Sequence, residues 1–533
     1  MKKILSICFL LLVIIPLSCT KEIGKPSWNT EVLTPLVKSS MNMDNFISTT
    51  LIKLNPDSSL KMIYNYDFYD FKAEKLVQIP DTLITDSFHT PIPTLAQPGE
   101  ILIQKTDESK YNFNGVDLKK VILKSELLRF RIVNPIKEIV VMNYEIPSAT
   151  LNGTTFKFSI SVPAGKVNSP GIYDSIYSLA GYTIDLTGIN HNKVNYLVTY
   201  MKAIINPSAL QSVSVWNTDT VIFSTQAINM VPSYAKGYFG QSTFKVGPDA
   251  SSFGLFDRII GGHLQLEDAL INISIENNIG EDLSFTINAL NSLNSKTNQL
   301  VLLRSPIIGI PHHINRAVEN NAIGTLTPSI YNIKLNKTNS NIKELIEGLP
   351  SKLGYTLQIQ TNPLENVSGG NDFIYTNKSL KASIELEIPL SITAKDLTLV
   401  DTVTINLGKI NDENKIHGDN SLTLFVNNGF PFEAQAKFYF LNKANNIIDS
   451  ISISPNLISS ASLDVNFKVN SKKLSQLLIP FSEKNMKSIT KAKFLMIVIK
   501  FNSSNYPNKV KIYKSYSIDL KIIADFNYTF NLK

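Results

Sequence analysis

LRFRIVNPI at residues 128–136 returns as INISIENNI at 271–279 and as LTLFVNNGF at 422–430. In each copy, three apolar residues at alternate positions are followed two residues later by Asn, and two beyond that by Ile or Phe. Such alternation predicts a strand with one buried face. The Asn side chain can bond its own backbone, so we expect Asn134, Asn277 and Asn428 to end these strands in turns.

The reference asparagines are separated by 143 and 151 positions, which are domain-sized intervals. The copies therefore predict a tandem array of whole domains and not a solenoid of short units. Alternating apolar runs fill most of the chain, with short helices expected only at 341–347 and 471–478. Parallel strands need long crossover connections, which are usually helices, and few helices are expected here. We therefore predict an all-β, mainly antiparallel fold of sandwich-like domains.

The predicted organisation has five parts. They are a signal peptide at 1–18, a tether and N-terminal β-rich extension at 19–95, and β-sandwich repeats at 96–237, 238–379 and 380–533.

The N-terminus carries an export pattern. Met1-Lys2-Lys3 is followed by an almost unbroken apolar run from residue 4 to 17, too short for a comfortable bilayer span. A buried N-terminal helix is the less favoured alternative. The run ends at Ser18-Cys19, which resembles the lipobox of bacterial lipoproteins. That resemblance implies that Cys19 is acylated and becomes the first residue of the mature chain.

The cysteine count argues against a disulfide, and the net charge argues against a nucleic-acid partner. Cys8 lies inside the predicted signal, so cleavage leaves Cys19 without a partner for a disulfide. Loss of Lys2 and Lys3, with no Asp or Glu in 1–18, lowers the formal charge from +7 to +5. This charge is spread over a long chain without basic clusters that interleave aromatics, so no nucleic-acid partner is expected.

Two segments resemble known families. SWNTEVLTPL at 27–36 resembles a segment found shortly after the lipid-bearing Cys of uncharacterised Bacteroidota lipoproteins. The first copy and its continuation to Asn152-Gly153 resemble the late-embryogenesis-abundant type 2, or WHy, domain. The first resemblance implies an exported, outer-membrane, lipid-anchored protein on the periplasmic or cell-surface side. The second implies a β-sandwich.

The search for catalytic and metal-binding chemistry gives no site. The chain contains neither a Gly-x-Ser-x-Gly element nor a glycine-rich phosphate loop between a strand and a helix. His312-His313 is the only histidine cluster, and we expect two exposed loop residues. A calcium-binding loop is a less favoured alternative for four acidic residues, Asp401, Asp412, Glu413 and Asp419. We therefore predict no catalytic residues, no metal and no cofactor.

The resulting expectation is a non-enzymatic, lipid-anchored envelope protein that presents tandem β domains for binding or structural attachment. Its partners would be the membrane, through the anchor, and an envelope protein, a lipid or a glycan. One alternative is a carrier of lipid or another apolar ligand. Another is a polysaccharide-binding outer-membrane lipoprotein, although only Trp28 and Trp216 could serve as indole platforms.

Overall fold

The computed structural model describes residues 27–46, 50–77, 79–320, 324–404, 416–452, 457–482, 484–485 and 491–531. The predicted signal peptide and Cys19 lie outside these residues. None of the described helices is long and apolar enough to cross a membrane. The prediction of an all-β, mainly antiparallel fold is confirmed.

The described part of the N-terminal segment contributes five strands and one helical turn. These are β1 (Ser27–Asn42), α1 (Met43–Phe46), β2 (Ile52–Leu54), β3 (Leu60–Lys72), β4 (Thr82–Phe88) and β5 (Thr94–Ala96).

The region of the first copy contains nine strands. These are β6 (Ile101–Lys110), β7 (Asp117–Asn134), β8 (Val140–Leu151), β9 (Thr154–Val162), β10 (Gly171–Ser178), β11 (Thr183–Asp185), β12 (Tyr196–Ile205), β13 (Val213–Val215) and β14 (Val221–Tyr238).

Outside the gap at 321–323, the region of the second copy forms twelve strands and a helix. These are β15 (Thr243–Ser252), β16 (Ile259–Leu266), β17 (Leu270–Asn277), β18 (Leu283–Asn294), β19 (Gln299–Leu302), β20 (Pro311–Ile314), β21 (Val318–Glu319), β22 (Leu326–Thr327), β23 (Ser329–Leu335), α2 (Ile342–Glu347), β24 (Lys352–Thr361), β25 (Asp372–Tyr375) and β26 (Ser379–Pro389).

The described residues in the region of the third copy form ten strands. These are β27 (Ser391–Thr404), β28 (Ile416–Asn428), β29 (Phe432–Leu441), β30 (Ile447–Ser452), β31 (Ser462–Leu463), β32 (Val469–Ser471), β33 (Lys473–Phe481), β34 (Phe494–Ser503), β35 (Val510–Lys511) and β36 (Ser517–Asn531).

Each copy builds the same pair of facing strand groups. The Asn-bearing strand lies between two neighbours in one group: β10-β7-β14, β23-β17-β26 or β33-β28-β36. The strand after the Asn turn lies in the other group: β9-β8-β12, β19-β18-β24 or β30-β29-β34. In the first copy, aromatic contacts join the two groups, for example Phe130 of β7 to Tyr144 of β8 at 5.0 Å between ring centroids. In the third copy, an apolar cluster that includes Leu424 of β28 and Phe440 of β29 joins them. We call these assemblies the first, second and third sandwiches.

The three asparagines form the same turn. Each is buried and is the last residue of its strand. Each Oδ1 accepts the backbone N–H two residues on, and each Nδ2 donates to the carbonyl four residues on and to a distant carbonyl. The distant carbonyls belong to Pro163, Asn315 and Ser459. The prediction that Asn ends these strands in a turn is confirmed.

The N-terminal strands are distributed over all three sandwiches. β4 pairs with β14 of the first sandwich, β3 lies beside β26 of the second, and β1 pairs with β36 of the third. The extension is thus built into the sandwiches in reverse order along the chain.

The chain divides into two compact units. Within the described residues, one unit takes in 27–62, 256–268 and 388–531, and the other takes in 63–255 and 269–387. Because both units join separate stretches of chain, the predicted boundaries near 95, 237 and 379 stay predictions.

Two local expectations need correction. The predicted helix at 471–478 is wrong, because this stretch forms parts of β32 and β33, with β33 paired to β28. The pair His312-His313 lies on strand β20 and not in a loop, because β20 pairs with β18. The helix expected at 341–347 is confirmed as α2.

Candidate ligand-binding cleft

A β-bulge in the first sandwich places two lysines on one cleft. Lys236 of β14 pairs with Lys120 of β7, and Gly237 pairs with Leu118, which leaves Lys119 as the extra residue. A Cβ at position 237 would lie 2.1 Å from the carbonyl oxygen of Asp117, so only glycine fits beside the bulge. Adjacent side chains of a regular strand point to opposite faces, but a bulge re-aims them. Both Lys119 and Lys120 therefore line the cleft.

The short strand β11 joins the two strand groups beneath the cleft. It pairs with β7 on one side, with Asp185 opposite Lys120, and with β8 on the other, with Thr183 opposite Thr150. Within this strand the Ile184 side chain is buried, whereas Thr183 and Asp185 are half-buried. The pleat thus directs polar side chains to the cleft and apolar ones to the core.

The loop after β11 forms one wall and is held by polar contacts, of which that made by Asn195 is buried. The Glu108 carboxylate accepts the N–H of Ile189 at 2.6 Å and pairs with the Lys193 ammonium. These two hydrogen bonds lower the pKa of Glu108. Asn195, which is buried, accepts the N–H of Leu118 at 2.6 Å and so ties the loop to the start of β7.

The cleft has a volume of about 940 Å³, near the upper end of the range for small-molecule sites. Most of its lining side chains are polar. Hydroxyl groups come from five residues: Thr106, Ser148, Thr150, Thr183 and Thr187. The Lys119 ammonium donates to the Gly369 carbonyl at 2.9 Å. Lys120 forms no ion pair or hydrogen bond with any residue in the described part of the chain.

Thr187, His191 and Asp185 lie together at the cleft but do not form a catalytic relay. The Thr187 hydroxyl is 3.0 Å from His191 Nδ1, and Asp185 Oδ2 is 3.1 Å from the same nitrogen. In a hydroxyl–imidazole–carboxylate triad, the nucleophile and the carboxylate contact opposite ring nitrogens. Here both contact Nδ1, and Thr187 also hydrogen-bonds to Asp185. These contacts hold the loop after β11 in one conformation.

The interior of the first sandwich contains a small apolar cavity. Its lining includes Leu128, Tyr144, Ile146 and Leu179, and its volume is about 40 Å³. This is close to the ~30 Å³ that one molecule of liquid water occupies, and far below the ~150 Å³ cavity that admits benzene. An acyl chain does not fit into this cavity.

The second sandwich contains a buried acidic junction just after its Asn turn. We define it as Glu281, Asp282, Arg316, Asn362 and Asp372. The Arg316 guanidinium pairs with Asp282 at 2.5 Å and with Asp372 at 2.7 Å. The Asn362 amide donates to Glu281 at 2.7 Å and to Asp372 at 3.0 Å.

The carboxyl groups of the junction titrate differently. Burial, reinforced by the nearby Asp372 charge, raises the pKa of Glu281 well above its usual value. Burial also raises the pKa of Asp372. Burial acts in the same sense on Asp282, but hydrogen bonds from Arg316 outweigh it and lower the pKa of that carboxyl. Among the described residues, no three His, Cys, Asp or Glu side chains converge on a metal position.

The residues singled out in the sequence do not form the cleft. Cys19 and the side chains of Asp401, Asp412, Glu413 and Asp419 lie outside the described part of the structure. His312 is half-buried, with Nδ1 3.2 Å from the Tyr331 hydroxyl, and burial lowers its pKa.

The two tryptophans are 54% and 55% exposed, and neither lines the cleft. The sequence patterns did not predict the lysines and hydroxyl residues of the cleft, because the only sequence feature related to them is Gly237, which lies in a different strand.

Comparisons with known proteins add little. No family model matches the chain, and no curated protein matches it. A candidate secreted protein from Parabacteroides distasonis is 12% identical, with 53% of this chain and 82% of that chain covered and a TM-score of 0.26.

Two structures of infectious bursal disease virus are also similar. The Gx strain is 10% identical, with 90% of this chain and 83% of that chain covered and a TM-score of 0.12. The VP2 subviral particle is 10% identical, with coverages of 90% and 84% and a TM-score of 0.11. At these TM-scores the likenesses carry no argument about function, so the family resemblances stay predictions.

Proposed function

We propose that this chain is a lipid-anchored protein of the bacterial cell envelope that binds a ligand through its β-sandwiches without catalysing a reaction. The open cleft of the first sandwich carries the binding part of the proposal. Its side chains are suited to donating and accepting hydrogen bonds, and its one imidazole is tied to Thr187 and Asp185. The export pattern and the Ser18-Cys19 pair support the anchor.

The path of β1 gives the anchor a structural consequence. β1 begins at Ser27, eight positions after Cys19, and pairs along its length with β36. Eight residues span at most ~28 Å when fully extended. A lipid on Cys19 would therefore hold the third sandwich, of which β1 is a strand, within this distance of the membrane.

The anchor is tested by membrane fractionation of cells that express the full chain. We expect Cys19→Ala to move the protein from the membrane pellet to the soluble fraction, because stable attachment would be lost with the acyl chains. The matched control is Cys8→Ala, inside the predicted signal, which should leave the protein in the pellet. A Cys19→Ala protein that still sediments with membranes would contradict lipid anchoring.

The non-enzymatic role is tested with the purified mature chain. Incubation with a panel of ester, peptide and glycoside substrates should give no turnover above the uncatalysed rate. Hydrolysis of any of them at ~1 s⁻¹ or faster, within the usual range of enzymes, would show that the protein is an enzyme.

Polysaccharide binding is the second candidate function, and the cleft is the observation that favours it over lipid carriage. The apolar cavity of the first sandwich has a volume of about 40 Å³, whereas the cleft, with its five hydroxyl residues, has a volume of about 940 Å³. A hydroxyl-rich ligand matches the larger space in size, and the hydroxyl residues of the cleft can exchange hydrogen bonds with it.

A further inference from the structure

We propose that the cleft of the first sandwich binds an acidic polysaccharide, a hydroxyl-rich chain that bears carboxylates, with Lys120 as the side chain that pairs with a carboxylate. This inference rests on the proposed binding function and names its ligand class. It depends on three features of the cleft: an unpaired ammonium, a set of hydroxyl groups, and apolar side chains among them.

The charges of the cleft favour an anion. Asp185 is opposite Lys120 in the strand register, yet its two oxygens are used by Thr187 and His191. The Lys119 ammonium contacts only a neutral carbonyl, that of Gly369. Because no carboxylate of the described residues pairs with either ammonium, the cleft keeps an uncompensated positive charge. A ligand carboxylate would accept a charge-assisted hydrogen bond from the Lys120 ammonium.

The hydroxyl groups favour a ligand with many donors and acceptors. Thr150 and Thr183 are cross-strand neighbours, and Ser148 lies two residues before Thr150 on β8. A hydroxyl both donates and accepts, so such a row can exchange its hydrogen bonds to water for bonds to sugar hydroxyls. The Ser148 hydroxyl donates to the Val198 carbonyl at 3.5 Å, but a purely apolar ligand would leave the hydroxyls of Thr150 and Thr183 without partners, which is costly.

Apolar side chains beside these groups suit the carbon–hydrogen faces of sugar rings. Ile189 is 51% exposed at the cleft wall, although its backbone N–H is fixed by Glu108. Pro147 and Val198 add further apolar lining. Because the Glu108 and Asn195 contacts hold this wall in place, little ordering of the protein would accompany binding.

Affinity electrophoresis of the full mature chain tests the inference, with polygalacturonate as the acidic probe and dextran as the neutral one. We expect polygalacturonate to retard the protein and dextran to leave its mobility unchanged. Lys120→Gln should raise the Kd for polygalacturonate about tenfold, the effect of losing one charge-assisted hydrogen bond. Thr183→Val should weaken binding by a smaller factor.

The matched control is Lys124→Gln, an exposed lysine on the same strand outside the cleft, which should retain wild-type affinity. Melting temperatures of all variants establish that the fold is kept. Equal losses in Lys120→Gln and Lys124→Gln would overturn the inference in favour of unspecific attraction to a basic surface. Equal retardation by dextran would overturn the need for a carboxylate.

The outcomes separate this inference from the proposed function. If neither probe binds while Cys19→Ala still releases the protein from membranes, the ligand class is wrong and the anchored envelope role stands. If Lys120→Gln raises the Kd about tenfold while Cys19→Ala still sediments with membranes, the ligand class stands and the anchor is wrong.

Discussion

The Asn turns of the second and third sandwiches share their backbone but lead to different surroundings. Asn277 and Asn428 each make the same three hydrogen bonds, at 2.9–3.0 Å. Four residues on, the second turn presents the buried carboxyl of Glu281, whereas the third presents Phe432. The same turn therefore precedes a buried carboxyl in the second sandwich and an aromatic side chain in the third.

The largest effect should come from breaking the acidic junction. Arg316→Met leaves Asp282 and Asp372 without their cation in a buried setting. We expect the free energy of unfolding of this unit to fall by about 3–5 kcal/mol, the usual cost of removing one partner of a buried ion pair. Urea denaturation measures the change.

A matched control for that variant is Arg304→Met. Arg304 pairs with Glu344 at 2.6 Å, but both side chains are more than half exposed. Exposed pairs contribute about 0–1 kcal/mol, so this substitution should have little effect. Equal losses in the two variants would show that the junction is no more important than a surface ion pair.

A smaller effect should come from the third turn. Asn428→Leu leaves the carbonyls of Phe432 and Ser459 and the N–H of Phe430 without their partner. We expect a loss of about 3 kcal/mol in the stability of the third sandwich, because buried unsatisfied groups are costly. Hydrogen exchange in β28 and β33 measures it locally.

The exposed Asn446→Leu in the same sandwich is the control, and its change should stay within about 0.5 kcal/mol. If Asn428→Leu leaves both hydrogen exchange and the melting curve unchanged, the Asn428 turn does not stabilise the third sandwich.

The smallest effect, and the most specific to the second turn, should be a change in pH dependence. The raised pKa of Glu281 means that the folded state binds more protons than the unfolded state above pH ~4.5. Its contribution to stability is therefore complete below that pH and is lost as pH rises through the folded pKa. Glu281→Gln removes this loss, so the variant should gain stability relative to wild type as pH rises.

Urea denaturation at several pH values between 5 and 8 checks this prediction. Asp372, whose pKa burial also raises, gives a slope of the same sign in both proteins. Asp282 gives the opposite dependence, because its lowered pKa adds stability that disappears at low pH. Parallel pH profiles of wild type and variant would mean that Glu281 does not titrate abnormally.

Local features were predictable where the responsible residues are neighbours in sequence. The alternating strands, the strand ends at Asn134, Asn277 and Asn428, and the helix at 341–347 all follow from patterns a few residues long. The helix expected at 471–478 failed because pairing with β28 outweighs local propensity. The acidic junction brings residues 281, 316, 362 and 372 together, and no short pattern connects them.

By itself, the sequence determined the all-β class, the three copies and their Asn turns, because alternation and turn chemistry act over a few residues. Only the tertiary structure decided that β1, β3 and β4 complete the third, second and first sandwiches in turn, since strand pairing across hundreds of residues leaves no local signal. The tertiary structure also decided which side chains line the cleft. Gly237 permits the bulge that re-aims Lys119 and Lys120, although these residues lie more than a hundred positions apart.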